Sequence, residues 1–233
     1  MSDPDENPFL EIFSDPERAA NYADGPALFM PGFTDVHRMT SVLLRERVSE
    51  TAHVLVHGAG GGLELDAFAR AHPSWTFVGV DPAEAMIAEA EKRLNHAQDR
   101  VAFHCGYIDD APDGPFDAAT SLLTLHFLDA DARRTTVEHI VRRLKPGAPL
   151  VAVHCSFPQT DPARDAWLSR YAAFAVASGA DPDMAQMARE GVSNSIALLD
   201  PEEDLAVLQA AGLREVTPFY SAFTWCGWVG YAP

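Results

Sequence analysis

Hydrophobic positions along the chain switch between two periods. In "TDVHRMTSVLLRERV", Val36, Met39, Leu43 and Val48 recur near helical spacing, and Thr34 or Asp35 is placed to cap the start. From there short apolar runs alternate with amphipathic stretches. "HVLVH" reads as a buried parallel strand, "LELDAFARA" as a helix and "WTFVGVD" as a second strand. "PAEAMIAEAEKRLNHA" reads as a helix with Pro82 in its first turn and Met86, Ala90, Leu94 and Ala97 on its inner face. "RVAFHCG" and "PFDAATSL" are strands, and "DARRTTVEHIVRRL" is a helix that stops at Pro146 and Gly147. "LVAVHCSF" is a fifth strand. The rhythm then changes: "DPARDAWLSRYAAFAVASG", "DPDMAQMAREG" and "DPEEDLAVLQAAG" are helical with no strand between them. "LREVTPFY" and "AFTWCGWVGY" close the chain as two strands separated by Ser221 and Ala222, a connection short enough to force an antiparallel hairpin.

This pattern predicts an α/β fold, a doubly wound, mostly parallel seven-stranded sheet with an antiparallel C-terminal hairpin. Residues 1–33, rich in Pro, Asp and Phe, form an arm or lid. Residues 34–233 form one domain, with a helical cover inserted at about 158–198. In such a sheet a ligand sits at the carboxyl ends of the strands, near the point where strand order reverses.

The 233 residues are 47% hydrophobic, enough for a sizeable core, and no apolar run is long enough to span a bilayer. The acidic start "MSDPDENPFLEIFSDPE" has no signal-peptide pattern, so a cytoplasmic protein with no membrane association is expected. A net charge of −17 argues against a nucleic-acid partner. Arg133, Arg134, Arg142, Arg143 and Lys145 are close in sequence and read as a solvated helix face balancing nearby acids. Cys105, Cys155 and Cys226 are widely spaced without a CxxC pair, which suits buried free thiols and leaves no convincing metal site. Trp225 and Trp228 on the last hairpin suit either a homodimer contact or core packing.

The chemistry gathers where the first strand ends. Gly58, Gly60 and Gly62 give GxGxG, with Ala59 and Gly61 between them. Bare peptide there lets a ligand approach the backbone and exposes amide donors at a helix start. About twenty residues further on, the second strand ends in Asp81, where a carboxylate accepts hydrogen bonds from ribose hydroxyls or caps the following helix. A dinucleotide site would prefer GxGxxG, and here the third glycine comes one residue early.

With these motifs, "FDAATSLLTLHFL", "HIVRRLKPGAPLVAVHCSF" and the closing aromatic hairpin, the chain resembles the class I S-adenosylmethionine-dependent methyltransferases over roughly residues 34–233. The resemblance implies S-adenosyl-L-methionine as cofactor. Gly58, Ala59, Gly60 and Gly62 would lie against its methionine part and Asp81 on its ribose, with Pro82 and Met86 beside it. Tyr107 and Ile108 would flank the adenine, Asp109 or Asp110 would take its exocyclic amine, and Ser121 and Leu122 would line the pocket. Two positions depart from the family pattern. Val56 stands where an acid is common, two residues before the first glycine, and Tyr107 stands where Gly-Asp is common after the third strand.

The implied reaction is methyl transfer to a small-molecule acceptor. For a hydroxyl or thiol acceptor, His126, His154 and His37 are the candidate general bases, each also readable as a packed histidine. Phe29, Phe33, Trp167, Tyr171, Phe174 and Met187 would line an apolar acceptor pocket or form a helical mini-core. "LFMPGFTDVHRMTSVLLRERV" and "LTLHFL" also resemble the carboxy-S-adenosylmethionine synthase family, whose product serves tRNA wobble-uridine modification. There Arg189 would hold the extra carboxylate. A cofactor-binding protein without catalysis is the third reading, consistent with Val56 and Tyr107.

Overall fold

The computed structural model describes residues 8–233, so the acidic start at residues 1–7 lies outside it. Three short helices open the chain: α1 (Pro8–Ser14), α2 (Pro16–Asn21) and α3 (Pro26–Phe29), followed by α4 (Phe33–Arg45). The α/β part then runs β1 (His53–His57), α5 (Leu63–Ala71), β2 (Thr76–Asp81), α6 (Glu84–Arg93), β3 (Val101–Cys105), β4 (Ala118–Leu122), α7 (Ala130–Val141) and β5 (Pro149–Cys155). Helices α8 (Ala163–Ala177), α9 (Pro182–Ser195) and α10 (Pro201–Ala210) precede the hairpin β6 (Arg214–Ala222) and β7 (Trp225–Tyr231).

The seven strands form one sheet in the order β3-β2-β1-β4-β5-β7-β6. Strands β1 to β5 pair in parallel, and β7 runs antiparallel to both β5 and β6. Strand order therefore reverses between β1 and β4, and their carboxyl ends open the expected crevice. One face of the sheet packs on α4, α5 and α6 through Leu44, Leu65, Phe68, Ala90 and Leu94. The other face packs on α7 and α10 through Val137, Ile140, Leu144 and Leu208. Among the described residues, no helix is long and apolar enough to cross a membrane.

Several local expectations are corrected. Helix α4 is capped by Gly32 in a left-handed conformation, one residue before Phe33, and not by Thr34 or Asp35. Pro82 precedes the N-cap, Ala83, instead of lying in the first turn of α6. The hairpin turns at Phe223 and Thr224, because Ser221 and Ala222 still pair with Cys226 and Trp225. Cys155 and Cys226 are buried free thiols, whereas Cys105 is exposed. Trp225 and Trp228 are both buried within the chain's own core.

The arginine cluster is the largest surprise. Arg133 and Arg143 are fully buried rather than solvated. Arg133 donates to the carbonyls of Leu125, Leu128 and Ala197 and pairs with buried Asp204 of α10. Arg143 donates to the carbonyls of Asp109, Ala111, Pro112 and His139, so it organises the β3–β4 connection from within. A helix-face pattern hides this, because the acceptors are backbone oxygens that sequence does not display. The strand at the sheet's rim, β6, is irregular: register shifts fall between Arg214 and Thr217 and between Pro218 and Tyr220.

Candidate active site

The crevice lies at the carboxyl ends of β1 and β4. Its floor is the peptide Gly58–Gly61, and its walls are Leu63, Glu64, Leu122 and Leu123. Tyr22 of the N-terminal arm and Phe33 and His37 of α4 close it from above.

Local chemistry explains the turn. Gly58 has φ +72°, and a Cβ there would stand 2.0 Å from Thr124 Oγ1. Gly62 has φ +76° and caps α5, and a Cβ there would meet Ala90 Cα at 3.0 Å. The first glycine thus admits the segment after β4, and the last lets α5 and α6 approach. Asp81 locks the loop. Its Oδ2 accepts from Gly60 N at 2.8 Å, and its Oδ1 accepts from Ala83 N at 2.9 Å. This one carboxylate therefore joins the glycine turn to Ala83, the N-cap residue of α6. Burial raises its pKa, against the two backbone N–H donors.

Three groups beside the loop, the buried Glu64 and His57 and the half-buried Tyr22, are not signalled by the sequence. Glu64, in the first turn of α5, accepts a hydrogen bond from Thr120 Oγ1 at 2.6 Å, and burial pushes its pKa up to about 8. Tyr22 is pushed up to about 12 by burial and by the nearby carboxylates of Asp81 and Glu64. His57 Nδ1 lies 2.9 Å from Ser121 Oγ, and burial lowers its pKa to about 4. A glutamate in an amphipathic helix normally signals solvent. Only its register against Thr120, a tertiary fact, reveals the opposite.

These shifts make stability depend on pH in a definite sense. Glu64 binds its proton more tightly folded than unfolded, so its contribution is lost as pH rises from about 4.5 toward 8. His37 and His57, both lowered to about 4 by burial, bind protons more weakly when folded. Their contribution is lost as pH falls from about 6.5 toward 4. Thermal unfolding of the ligand-free protein is therefore expected to show its highest midpoint at about pH 6–7 and to fall on both sides. In Glu64→Gln the decline between pH 7 and 8 should be reduced.

The remaining candidates separate in space. His37 lines the crevice, with its ring against Phe33 at 4.7 Å. His126 is buried in a 3₁₀ turn, Leu125–Phe127, where its Nδ1 accepts from Cys155 N at 3.4 Å. Burial drives its pKa well below 6.5, reinforced by His154 and Arg133. His154 is fully buried on the opposite face of the sheet, its Nε2 3.0 Å from Asp204 Oδ1 and its ring against Trp228. Neither His126 nor His154 is among the crevice-lining residues. Met86 is buried, with its methyl 3.4 Å from where a Cβ on Gly60 would lie. Ile108 is buried and Tyr107 is exposed beyond β3. Asp110 is engaged by His104 Nε2 at 2.8 Å. Ser121 is buried under His57, and Leu122 faces the crevice.

Of the proposed acceptor lining, Phe33 reaches the crevice, while Phe29 stacks on Tyr171 at 5.2 Å in the cover. Phe174 meets Phe223 at 5.8 Å, and Met187 is exposed.

Residues 54–147 match the family described as "Methyltransferase domain". That segment carries a methyltransferase domain. The whole chain is 27% identical to the carboxy-S-adenosyl-L-methionine synthase of Chromohalobacter salexigens, over 94% of its own length and 87% of the relative's. It is 23% identical to the enzyme of the same name from Actinobacillus succinogenes, over 83% and 82%. The solved structure "PigF with SAH" superposes with a TM-score of 0.66 at 16% identity, covering 95% of this chain and 61% of that one. The chain thus spans about three fifths of that structure's length, and the likeness is one of fold.

Proposed function

We propose that the protein transfers the methyl group of S-adenosyl-L-methionine to a small-molecule acceptor at the carboxyl edge of the sheet. The observation that carries this reading is the Asp81 bridge. A carboxylate at the end of β2 is held against a side-chain-free turn at the end of β1, at the reversal of strand order. The residues present fit the cofactor: bare peptide for close approach, buried Glu64 on the crevice wall and the apolar Met86 beside the loop.

The cofactor supplies a methyl group already activated on a sulfonium. The chain's task is to bind, orient and exclude water, and positioning alone contributes on the order of 7–11 kcal/mol in favourable cases. In this reading Gly58, Ala59, Gly60 and Gly62 receive the methionine part. Asp81 and Pro82 hold the ribose, Tyr107 and Ile108 flank the base, and Ser121 and Leu122 form the far wall. Tyr22, Phe33 and His37 shut the crevice from solvent, so the arm at residues 8–33 acts as a lid. His37 is the candidate to accept an acceptor proton, because its ring faces the crevice. Burial keeps that imidazole neutral at pH 7.

Calorimetry should show micromolar association with S-adenosyl-L-methionine or its demethylated product and none with NAD. Incubation with an apolar hydroxyl, amine or thiol panel should release S-adenosylhomocysteine. Absence of heat with the sulfonium at millimolar concentration would overturn the reading.

A second reading is favoured by one observation, the two carboxy-S-adenosyl-L-methionine synthases matched over most of the chain. Arg189, the residue it would use, pairs instead with Asp165 on α8 and is not among the crevice-lining residues. Mass spectrometry of ligand carried through purification separates the two, since a carboxylated cofactor is heavier by a defined mass.

A further inference from the structure

Glu64 has no task in the account so far. Glu64 lines the crevice, and among the described residues it is the one carboxyl-bearing residue that does. Strand register explains how it arrives. Val56 of β1 pairs with Thr120 of β4, and both side chains lie on the sheet face that carries Val54, Ala118 and Leu122. Thr120 Oγ1 donates to Glu64 Oε1 at 2.6 Å. A carboxyl from α5 therefore rests beside Val56, at the end of β1, although the strand itself carries none. Asp81 takes one backbone donor on each oxygen, Gly60 N and Ala83 N, and in the cofactor reading its remaining acceptor sites face the ribose.

We propose that Glu64 is the counter-ion for the cationic methionine end of the cofactor, the ammonium and the sulfonium. The inference rests on the cofactor reading above. A buried carboxyl without a cation keeps its proton, and a cation placed against it restores the ionised form. Cofactor binding then expels one proton from Glu64 Oε to the buffer, with no other bond made or broken.

The titratable and charged groups facing this position leave Glu64 as the proton source. Tyr22 from the arm stays protonated, with its pKa near about 12. His37 from α4 and His57 from β1 stay neutral, each at about 4. Arg93 from α6 donates its Nε to Gly61 O at 2.9 Å. Asp81 from β2, itself raised by burial, faces a neutral ribose in this reading.

The test is calorimetry of the full chain with S-adenosyl-L-methionine at pH 6.5, in buffers of different ionisation enthalpy. At that pH an α-ammonium of ordinary pKa remains protonated. Wild type is expected to release about one proton, and its affinity is expected to rise close to tenfold between pH 6 and 7. Glu64→Gln is expected to release none, to show no such slope, and to bind at least ten times more weakly at pH 7. Should that variant not fold, wild type labelled with δ-¹³C-glutamate decides. One buried carboxyl resonance should move from the protonated to the ionised position on binding, a signal blind to Asp81. Cofactor binding with no proton released, or with Glu64→Gln releasing as many as wild type, overturns the inference and leaves the cofactor reading standing. Failure of wild type to bind at all overturns both.

Discussion

Asp81→Ala should abolish calorimetrically detectable binding of S-adenosyl-L-methionine, an expected loss of more than 100-fold in affinity. Two effects combine. The ribose loses its carboxylate acceptor, and hydrogen bonds to charged groups are worth about 1.5–3 kcal/mol each. The glycine turn also loses its anchor, because Gly60 N and Ala83 N both donate to this side chain. The floor of the crevice is then no longer held in the conformation that the ligand needs. Asp81→Asn separates the contributions: its single amide oxygen can satisfy one backbone donor. It should recover part of the folding stability while leaving affinity at least tenfold below wild type. Binding by Asp81→Ala within threefold of wild type would contradict the assignment.

Arg133→Met should cost about 3–5 kcal/mol of folding stability, the range observed when one member of a buried ion pair is removed. Asp204 is fully buried, and burial alone would raise its pKa. His154 and Arg133 outweigh that effect and hold the carboxyl below its usual range. Without the guanidinium, an anion stays in the core with one imidazole contact, and the carbonyls of Leu125, Leu128 and Ala197 lose their donor. The melting midpoint is expected to fall by roughly 6–20 °C, at about 2–4 °C per kcal/mol for a chain of this size. Arg133→Met combined with Asp204→Leu should be more stable than Arg133→Met alone, since the orphaned charge is gone. Additive losses in the double variant would show that the pair is not coupled.

The sheet was legible because period is a one-dimensional signal. Runs such as "HVLVH" and "LVAVHCSF" are too short for a helix and are bounded by turn residues; β1 coincides with the first, and β5 overlaps the second from one residue before it. The glycine turn and Asp81 were legible because bare peptide followed by an acid at the next strand end has few other uses. Polar groups turned inward were not. Glu64, Arg133 and Arg143 occupy amphipathic or charged stretches where solvent is the ordinary destination. Their burial depends on partners 56, 71 and about 30 residues away in sequence. Histidine was ambiguous for a related reason. His37 and His154 sit in equally plausible sequence contexts, yet one faces the crevice and the other the opposite core, a difference set by strand parity and helix rotation.

The irregular strand β6 has a consequence for assembly. An outermost strand normally exposes a straight row of amide and carbonyl groups to which another polypeptide can add. Here two breaks in pairing, together with Pro218, which has no N–H to offer, interrupt that row. On this side of the sheet the rim is thereby a poor template for strand addition, which leaves β3, at the opposite edge, as the straighter of the two.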